Sequence, residues 1–256
     1  MPGLLTLAAR SFNLGSTHHV LDLRTGNRAA ALRLARDFGC HVTAVDEDEP
    51  SLRIAREVAD HSGLGGLVKF KAMDLGHWTL PAREFDLVLA LGGALTATDR
   101  VRGLDQIAVH LVPGGGLLIA DLVYLDGPAS AAAKDLLRDL SGLEGETVEE
   151  REHRPEPIVR AIFEQGRFHF ANEPEYRGLL EAFGYETVFS TLMPETAWGE
   201  YFERMARAAG AMDSPHCDRQ ARAYIAQEAG AFYGYGGRGT VGYWFAGARH
   251  VGFHEP

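Results

Sequence analysis

The first half of the chain alternates short apolar runs with longer segments in which apolar residues recur every three or four positions. The short runs predict strands, and the periodic segments predict helices. Strands that alternate with helices are typical of βαβ units, which build a parallel sheet with helices on both faces. In chain order, the elements predicted there are strand 20–23, helix 29–38, strand 41–45, helix 50–61, strands 68–72 and 85–91, helix 104–111, a turn at 113–116 and strand 117–123.

The pattern changes after Tyr124. The elements predicted beyond it are helix 129–140, an acidic loop at 141–157, helix 174–183 and strands 186–193 and 242–249, with two more helices, 196–210 and 217–231, between those strands. No Pro-, Gly- or Ser-rich linker separates the two halves, so we expect a single domain over residues 1–256. In that domain the second half completes the sheet and adds a helical cap before the last strand.

Composition excludes several classes of protein. The 256 residues carry a formal net charge of −10 and are 46% hydrophobic, so we expect a globular protein without a nucleic-acid or membrane partner. The two cysteines, Cys40 and Cys217, have no metal-ligand spacing, which predicts no disulfide framework and no metal site. No apolar run reaches the roughly 18 residues that cross a bilayer, and residues 1–10 lack the pattern of a signal peptide. We therefore predict a cytoplasmic protein.

Three acidic residues stand at the ends of consecutive predicted strands: Asp22, Asp46 and Asp74. In an open parallel sheet, ligands bind outside the carboxyl ends of the strands. Carboxylates at that edge can accept hydrogen bonds from a ribose, an adenine amino group or an ammonium. Asp46 could instead cap the helix that follows it, together with Asp48.

The order of motifs around these acids resembles that of the class I S-adenosylmethionine (SAM)-dependent methyltransferases. The motifs that carry the resemblance are Val20-Leu21-Asp22-Leu23, Val42-Thr43-Ala44-Val45-Asp46, Met73-Asp74, Phe85-Asp86-Leu87-Val88 and Pro113-Gly114-Gly115. Further along, Met193-Pro194-Glu195 and Phe232-Tyr233-Gly234-Tyr235 are similar to a subgroup of bacterial UbiE-like methyltransferases. The resemblance covers nearly the whole chain.

This resemblance implies a Rossmann-like sheet of seven mostly parallel strands, the last of them antiparallel, with helices on both faces. It implies that residues 1–125 form the SAM-binding half and that residues 126–256 cover the substrate. Asp46 would hold the ribose hydroxyls, the residues around Asp74 would contact adenine, and the loop after Asp22 would wrap the methionine part. The cofactor-binding residues expected on this basis are Asp22, Arg24, Gly26, Asp46, Glu47, Met73, Asp74, Leu75 and Ala90.

The substrate side is less defined by the sequence. The resemblance places Trp198, Tyr201, Tyr233 and Tyr235 near the acceptor, although an aromatic stripe at helical spacing is also typical of a core. No residue is assigned as a general base, because methyl transfer depends chiefly on proximity and on an electrophile that is already charged. We expect a small-molecule acceptor, and we consider a homodimer.

The first loop departs from the family's pattern of Asp-x-Gly-x-Gly-x-Gly. Only Gly26 is kept, because Arg24 and Arg28 stand where the other two glycines are expected. In one interpretation the arginines point to solvent or pair with the carboxylate of SAM, which arginine does well. In the other they fill the cofactor site, and the chain is a methyltransferase-fold protein that has lost SAM binding and serves as a noncatalytic binding or assembly protein. A nicotinamide-dependent oxidoreductase is disfavoured, because no Gly-x-Gly-x-x-Gly follows the first strand.

Overall fold

The computed structural model describes residues 2–26, 29–75, 80–95, 100–125, 171–194, 196–197, 200, 203, 207 and 241–252. Helices and strands alternate through the first 124 residues, as the sequence predicts. The elements are α1 (Pro2–Ser11), β1 (His19–Leu23), α2 (Ala29–Phe38), β2 (His41–Asp46), α3 (Glu49–His61), β3 (Val68–Ala72), β4 (Phe85–Ala90), α4 (Arg100–His110), β5 (Leu111–Tyr124), β6 (Ala171–Asn172), α5 (Glu173–Ala182), β7 (Tyr185–Leu192) and β8 (Val241–His250).

The strands form one sheet in the order β3-β2-β1-β4-β5-β8-β7, and the two-residue strand β6 pairs with β5 outside that path. The pairs β1–β2, β2–β3, β1–β4 and β4–β5 are all parallel. Residues 85 and 87–90 of β4 are buried, as expected for a strand that is covered on both faces. The predicted Rossmann-like α/β fold with a mostly parallel sheet is therefore confirmed.

Strand β8 runs antiparallel to β7. The amide of Met193, just after β7, donates to the carbonyl of Tyr243 near the start of β8, at 2.8 Å. The amide of Val251, just after β8, donates to the carbonyl of Gly184 immediately before β7, at 2.9 Å. Residue numbers thus rise along one strand while they fall along the other, which defines an antiparallel pair.

Strand β5 begins at Leu111, six residues before the predicted strand, and the predicted turn at 113–116 lies inside it. Phe85 of β4 pairs with Leu111, yet Leu87, two residues further on, pairs with Gly116. The additional residues of β5 form a bulge, and Gly114 within it has a φ of 76°. The Pro-Gly-Gly-Gly sequence therefore makes an irregularity within a strand rather than the turn that was expected.

Helix α1 was not predicted, and it packs into the core through Leu5, Ala8 and Ala9. The ring of Phe12, directly after α1, lies so close to Gly116 that a Cβ at that glycine would be 2.6 Å from it. Arg249 of β8 completes this contact, because its guanidinium carbon lies 5.3 Å from the centre of the Phe12 ring. Helix α1 is thus held against the bulged part of β5 by the packing of Phe12.

Helix α3 shows how local sequence positions the strand ends. Asp48 is its N-cap, and the Asp48 side chain accepts a hydrogen bond from the amide of Ser51. Pro50 stands in the first turn, where a missing N–H leaves no helical hydrogen bond unmade. Leu52 and Ala55 are buried on the face that packs toward the sheet. The helix therefore starts three residues after the end of β2, which keeps Asp46 at the edge of the sheet.

The chain divides into two compact units. The first comprises Met1–Asp121, Pro174–Thr191 and Trp244–Pro256, and the second comprises Leu122–Glu173 and Leu192–Tyr243. The predicted helices 129–140 and 217–231 lie outside the described residues, as does most of 196–210. Within the described residues, no helix is long and apolar enough to cross a membrane.

Candidate functional site

The topology of the sheet locates a crevice beside β1 and β4. After β1 the chain moves by way of α2 to β2, on one side of β1, whereas after β4 it moves by way of α4 to β5, on the opposite side. The connections that leave β1 and β4 therefore diverge at the carboxyl edge, and ligands of open α/β sheets bind at such a switch point. Leu23 and Ala90 are paired neighbours there, so the residues that follow them border the crevice.

The loop after β1 keeps a left-handed backbone although it has lost a glycine. Arg24 has a φ of 53° and Gly26 a φ of 49°. Two backbone hydrogen bonds to β2 hold the loop: Thr25 donates to the carbonyl of Val45 at 3.0 Å, and Gly26 donates to the Asp46 carboxylate at 2.9 Å. The side chain of Arg24 is exposed and, within the described part of the chain, makes no hydrogen bond or ion pair. The loop conformation is therefore that of a glycine loop, with an arginine directed to solvent.

Asp22 lies beneath this loop rather than on its surface. Only 2% of the residue is exposed, and its Oδ2 accepts a hydrogen bond of 2.7 Å from the hydroxyl of Thr25. Burial raises the pKa of Asp22 to about 7, and the nearby charge of Asp46 adds to the rise, while the bonds from Thr25 and from the amide of Ala31 oppose it. Asp22 thus supports the loop through Thr25, a partner that the sequence did not single out.

Asp46 ends β2 at the carboxyl edge and is partly exposed. Its Oδ2 accepts the amide of Gly26 at 2.9 Å, and its Oδ1 accepts the amide of Asp48 at 3.1 Å. A carboxylate offers about four lone-pair positions, so both oxygens retain acceptor capacity. The capping role considered for Asp46 belongs instead to Asp48, and the Asp46 carboxylate joins the glycine loop to the end of β2.

The residues after β3 lie beside the end of β2. The amide of Met73 donates to the carbonyl of Asp46 at 2.9 Å, and the amide of Leu75 donates to the carboxylate of Glu47 at 3.3 Å. Met73 and Leu75 are buried, whereas Glu47 and Asp74 are exposed. The ends of β2 and β3 are thus held together by backbone and side-chain bonds, with one carboxylate from each segment facing solvent.

Residues at the end of β4 form the opposite border of the crevice. Ala90 is only 1% exposed, so its side chain is part of the core and only its backbone is available to a ligand. It is followed by Gly92 and Gly93, which have φ values of 66° and 76°. This pair was not singled out from the sequence, although two successive glycines after a strand are a recognisable signal for backbone that approaches another group closely.

Several expected residues lie outside the described part of the chain: Arg28, Trp198, Tyr201, Tyr233 and Tyr235. Their roles stay predictions. Among the residues with described positions, no group of three or more His, Cys, Asp or Glu side chains could hold a metal ion. The residues that the structure brings together are Asp22, Arg24, Gly26, Asp46, Glu47, Met73, Asp74 and Leu75, which surround the ends of β1, β2 and β3.

Part of the chain is similar in sequence to known proteins. Residues 20–115, which include nearly all of β1 to β4 and the loop with Arg24 and Gly26, match the family model described as "Methyltransferase domain". The match covers 96 of the 256 residues. The segment matched in "Methyltransferase GfsG" of Streptomyces halstedii is 31% identical over 125 residues, which is 48% of this chain and 45% of that protein. The UbiE C-methyltransferase of Hydrogenovibrio crunogenus is 29% identical over 118 residues, 45% of this chain and 46% of that protein.

A solved structure extends the likeness of the fold beyond residues 20–115. The SAM-dependent methyltransferase of Thiobacillus denitrificans, in complex with S-adenosylhomocysteine, superposes with a TM-score of 0.68 at 20% identity, over 97% of this chain and 91% of that one. This chain thus has the Rossmann-like fold of that methyltransferase. The segments that match the curated relatives in sequence span less than half of each relative's length.

Proposed function

We propose that this protein is an enzyme that binds SAM in the crevice beside β1 and β4 and transfers the methyl group to a small-molecule acceptor. The observation that carries the proposal is the partly exposed carboxylate of Asp46, which accepts a hydrogen bond from the amide of Gly26 at the switch point of the sheet. The cofactor-binding set is the one that the sequence predicts: Asp22, Arg24, Gly26, Asp46, Glu47, Met73, Asp74, Leu75 and Ala90.

The residues at the crevice fit such a cofactor. Asp46 can accept further hydrogen bonds from the hydroxyls of a ribose, because among the described residues each of its oxygens is used by a single amide. Of the atoms with described positions, a Cβ at Gly26 would meet only the carbonyl of Arg24, at 3.7 Å, which leaves room for a ligand beside that backbone. Met73 and Leu75 supply apolar surface next to Asp46, and Glu47 and Asp74 supply acceptors for amino groups.

The exposure of Arg24 supports SAM binding over its loss. A guanidinium that filled the site would be covered by the loop and the strand ends, whereas Arg24 is exposed. Its φ of 53° keeps the peptide planes of the loop as a glycine would hold them. The proposed contact of Arg24 with the cofactor is made by its backbone, while its side chain is directed to solvent. The alternative, a protein that has lost SAM binding, would require an obstruction that Arg24 does not provide; Arg28, the other arginine on which that alternative rests, lies outside the described residues.

When bound, SAM would supply a methyl group that its sulfonium charge activates for transfer to the acceptor. The chain's own task is orientation. Asp46 and the loop amides fix one end of the crevice, and the backbone after β4 borders the other. Transfer of this kind gains mainly from alignment, which is worth about 7–11 kcal/mol in well-oriented systems.

We propose that the methyl acceptor is a small molecule and that the protein belongs to the UbiE-like subgroup. The support is the match to the UbiE C-methyltransferase and the motifs at residues 193–195 and 232–235. Trp198, Tyr201, Tyr233 and Tyr235 are proposed to line the acceptor pocket. We also propose that the protein is cytoplasmic and forms a homodimer.

The test is a transfer assay with methyl-labelled SAM and an extract of small metabolites. The wild type should place label in a small molecule, and Asp46→Ala should abolish this labelling. Asp48→Ala is the matched control: it removes a neighbouring carboxylate and the helix cap, at a cost of about 1 kcal/mol in stability, while keeping the Asp46 carboxylate. Labelling that survives in Asp46→Ala, or none from the wild type, would contradict the proposal.

A further inference from the structure

A buried polar group lies where β5 passes the end of β4. Ala90, the last residue of β4, pairs with Ile119, so Asp121 on β5 lies level with Gly92 beyond the end of that strand. Asp121 is 0% exposed, and its Oδ2 accepts a hydrogen bond of 2.9 Å from the hydroxyl of Tyr176 on α5. A buried carboxylate costs several kcal/mol unless it is paired, so its partners have to be held accurately.

Arg100 is the charged partner of this carboxylate. It is the first residue of α4, it is 6% exposed, and its Nη2 lies 4.0 Å from Oδ2 of Asp121. Its guanidinium carbon also lies 4.4 Å from the centre of the Tyr176 ring. Burial and the Asp121 charge hold the pKa of Tyr176 well above its ordinary value, so this hydroxyl keeps its proton and remains a donor. Asp121, Tyr176 and Arg100, which we call the Asp121 cluster, therefore link β5, α5 and α4.

The other side of the Asp121 carboxylate faces the glycines after β4. A Cβ at Gly93 would lie 3.6 Å from Oδ1 of Asp121, so the carboxylate packs against the Gly93 backbone. The amide of Gly93 donates to the carbonyl of Ala120, next to Asp121, at 3.2 Å. Gly92 and Gly93 both have left-handed φ values, which glycine adopts as readily as others, so the two glycines do not by themselves restrict the turn to one conformation.

We propose that Asp121 is a positioning residue, which Tyr176 and Arg100 hold so that it fixes the Gly92–Gly93 turn at the edge of the cofactor crevice. The turn borders the crevice opposite the Arg24–Gly26 loop, because β1 and β4 are neighbours at the switch point. Because Asp121 is 0% exposed, it acts through the backbone of the turn. The part of this inference that concerns the cofactor rests on the proposed function.

The experiment measures two quantities on the full chain. Hydrogen–deuterium exchange of a peptide that contains residues 91–95 reports whether the turn is held, and calorimetric titration with S-adenosylhomocysteine reports whether the crevice depends on it. The variants are Asp121→Asn, which removes the charge, and Tyr176→Phe, which removes one hydrogen bond and keeps the ring. Leu52→Ala on α3 is the control, because Leu52 is 1% exposed and its loss destabilises the core on the other side of the sheet.

Tyr176→Phe should speed exchange of the 91–95 peptide about tenfold and weaken binding of S-adenosylhomocysteine about tenfold, as the loss of one buried hydrogen-bond partner predicts. Asp121→Asn keeps an acceptor for Tyr176 but loses the charge that pairs with Arg100, and it should change both quantities in the same direction. Leu52→Ala should leave exchange of this peptide unchanged. If Asp121→Asn does not fold, Tyr176→Phe decides the outcome alone. Exchange that is unchanged, or equally fast in Leu52→Ala, would overturn the inference. Faster exchange with unchanged affinity would overturn its connection to the crevice. A wild type that binds no S-adenosylhomocysteine would contradict the proposed function, while the exchange rates would still decide whether Asp121 fixes the turn.

Discussion

Replacing Arg24 by glycine should stabilise the fold and leave cofactor affinity almost unchanged. Arg24 has a φ of 53°, and a left-handed conformation costs a residue with a Cβ about 1–2 kcal/mol. Glycine removes that strain, but its freer backbone loses about 0.5–1 kcal/mol more entropy on folding. The difference predicts a free energy of unfolding that is higher by up to about 1.5 kcal/mol, and a melting temperature higher by roughly 2–4 °C for about each kcal/mol gained.

Arg83→Gly is the matched control for this measurement. Arg83 is also an exposed arginine with a left-handed backbone, with a φ of 54°, and it stands before β4, at the opposite end of that strand from the crevice. Urea unfolding should show the same gain for both variants. Titration with S-adenosylhomocysteine should give dissociation constants within about threefold of wild type for both.

Two results would refute this reasoning. A loss of stability in Arg24→Gly alongside a gain in Arg83→Gly would mean that the Arg24 side chain makes stabilising contacts and is not simply exposed. A gain of more than about tenfold in affinity, equivalent to 1.4 kcal/mol, would mean that Arg24 obstructs the crevice and that the arginine loop weakens cofactor binding.

Three other substitutions test the description of the loop and the core. Because burial raises the pKa of Asp22 from 3.8 to about 7, the folded protein retains a proton that the unfolded chain has released, so stability should fall as pH rises from about 4 to about 7 and stay level above. Asp22→Asn should abolish that fall in urea titrations across this range; an unchanged slope would contradict the assignment. Gly26→Ala should lower the free energy of unfolding by up to about 1.5 kcal/mol, measured by the same unfolding assay, because φ there is 49°. Arg249→Ala should cost about 1–2 kcal/mol and expose α1 to limited proteolysis, because it removes hydrogen bonds to the carbonyls of Gly114 and Ser11; unchanged digestion would show that α1 is held without it.

The sequence predicted the sheet well, because a strand that is covered on both faces is recognisable as a short apolar run. Helix 29–38 and strand 68–72 match α2 and β3 at both ends. Helix α1 was missed because residues 2–11 were considered only as a targeting segment. The apolar residues of α1 indicate a core helix only when the part of the core that buries them, next to the β5 bulge, is known.

The sequence predicted the site correctly where the end of a strand alone determines the position of a side chain. Asp46 is such a residue, because β2 ends there and so places it at the carboxyl edge of the sheet. The conformation of Arg24 was not predictable, because an arginine disfavours the left-handed region and only the bonds of Thr25 and Gly26 to β2 impose it. The bond between Asp121 and Tyr176 joins residues 55 positions apart, and no spacing rule connects them.

The central claim is that SAM binds at the switch point through Asp46, and one measurement tests it most directly. Calorimetric titration with S-adenosylhomocysteine should give saturable binding of one molecule per chain to the wild type. The same binding should be retained by Asp48→Ala and lost in Asp46→Ala. Wild-type binding that is millimolar or weaker would contradict the claim that this crevice holds the cofactor, and binding that survives in Asp46→Ala would show that the ribose is held elsewhere.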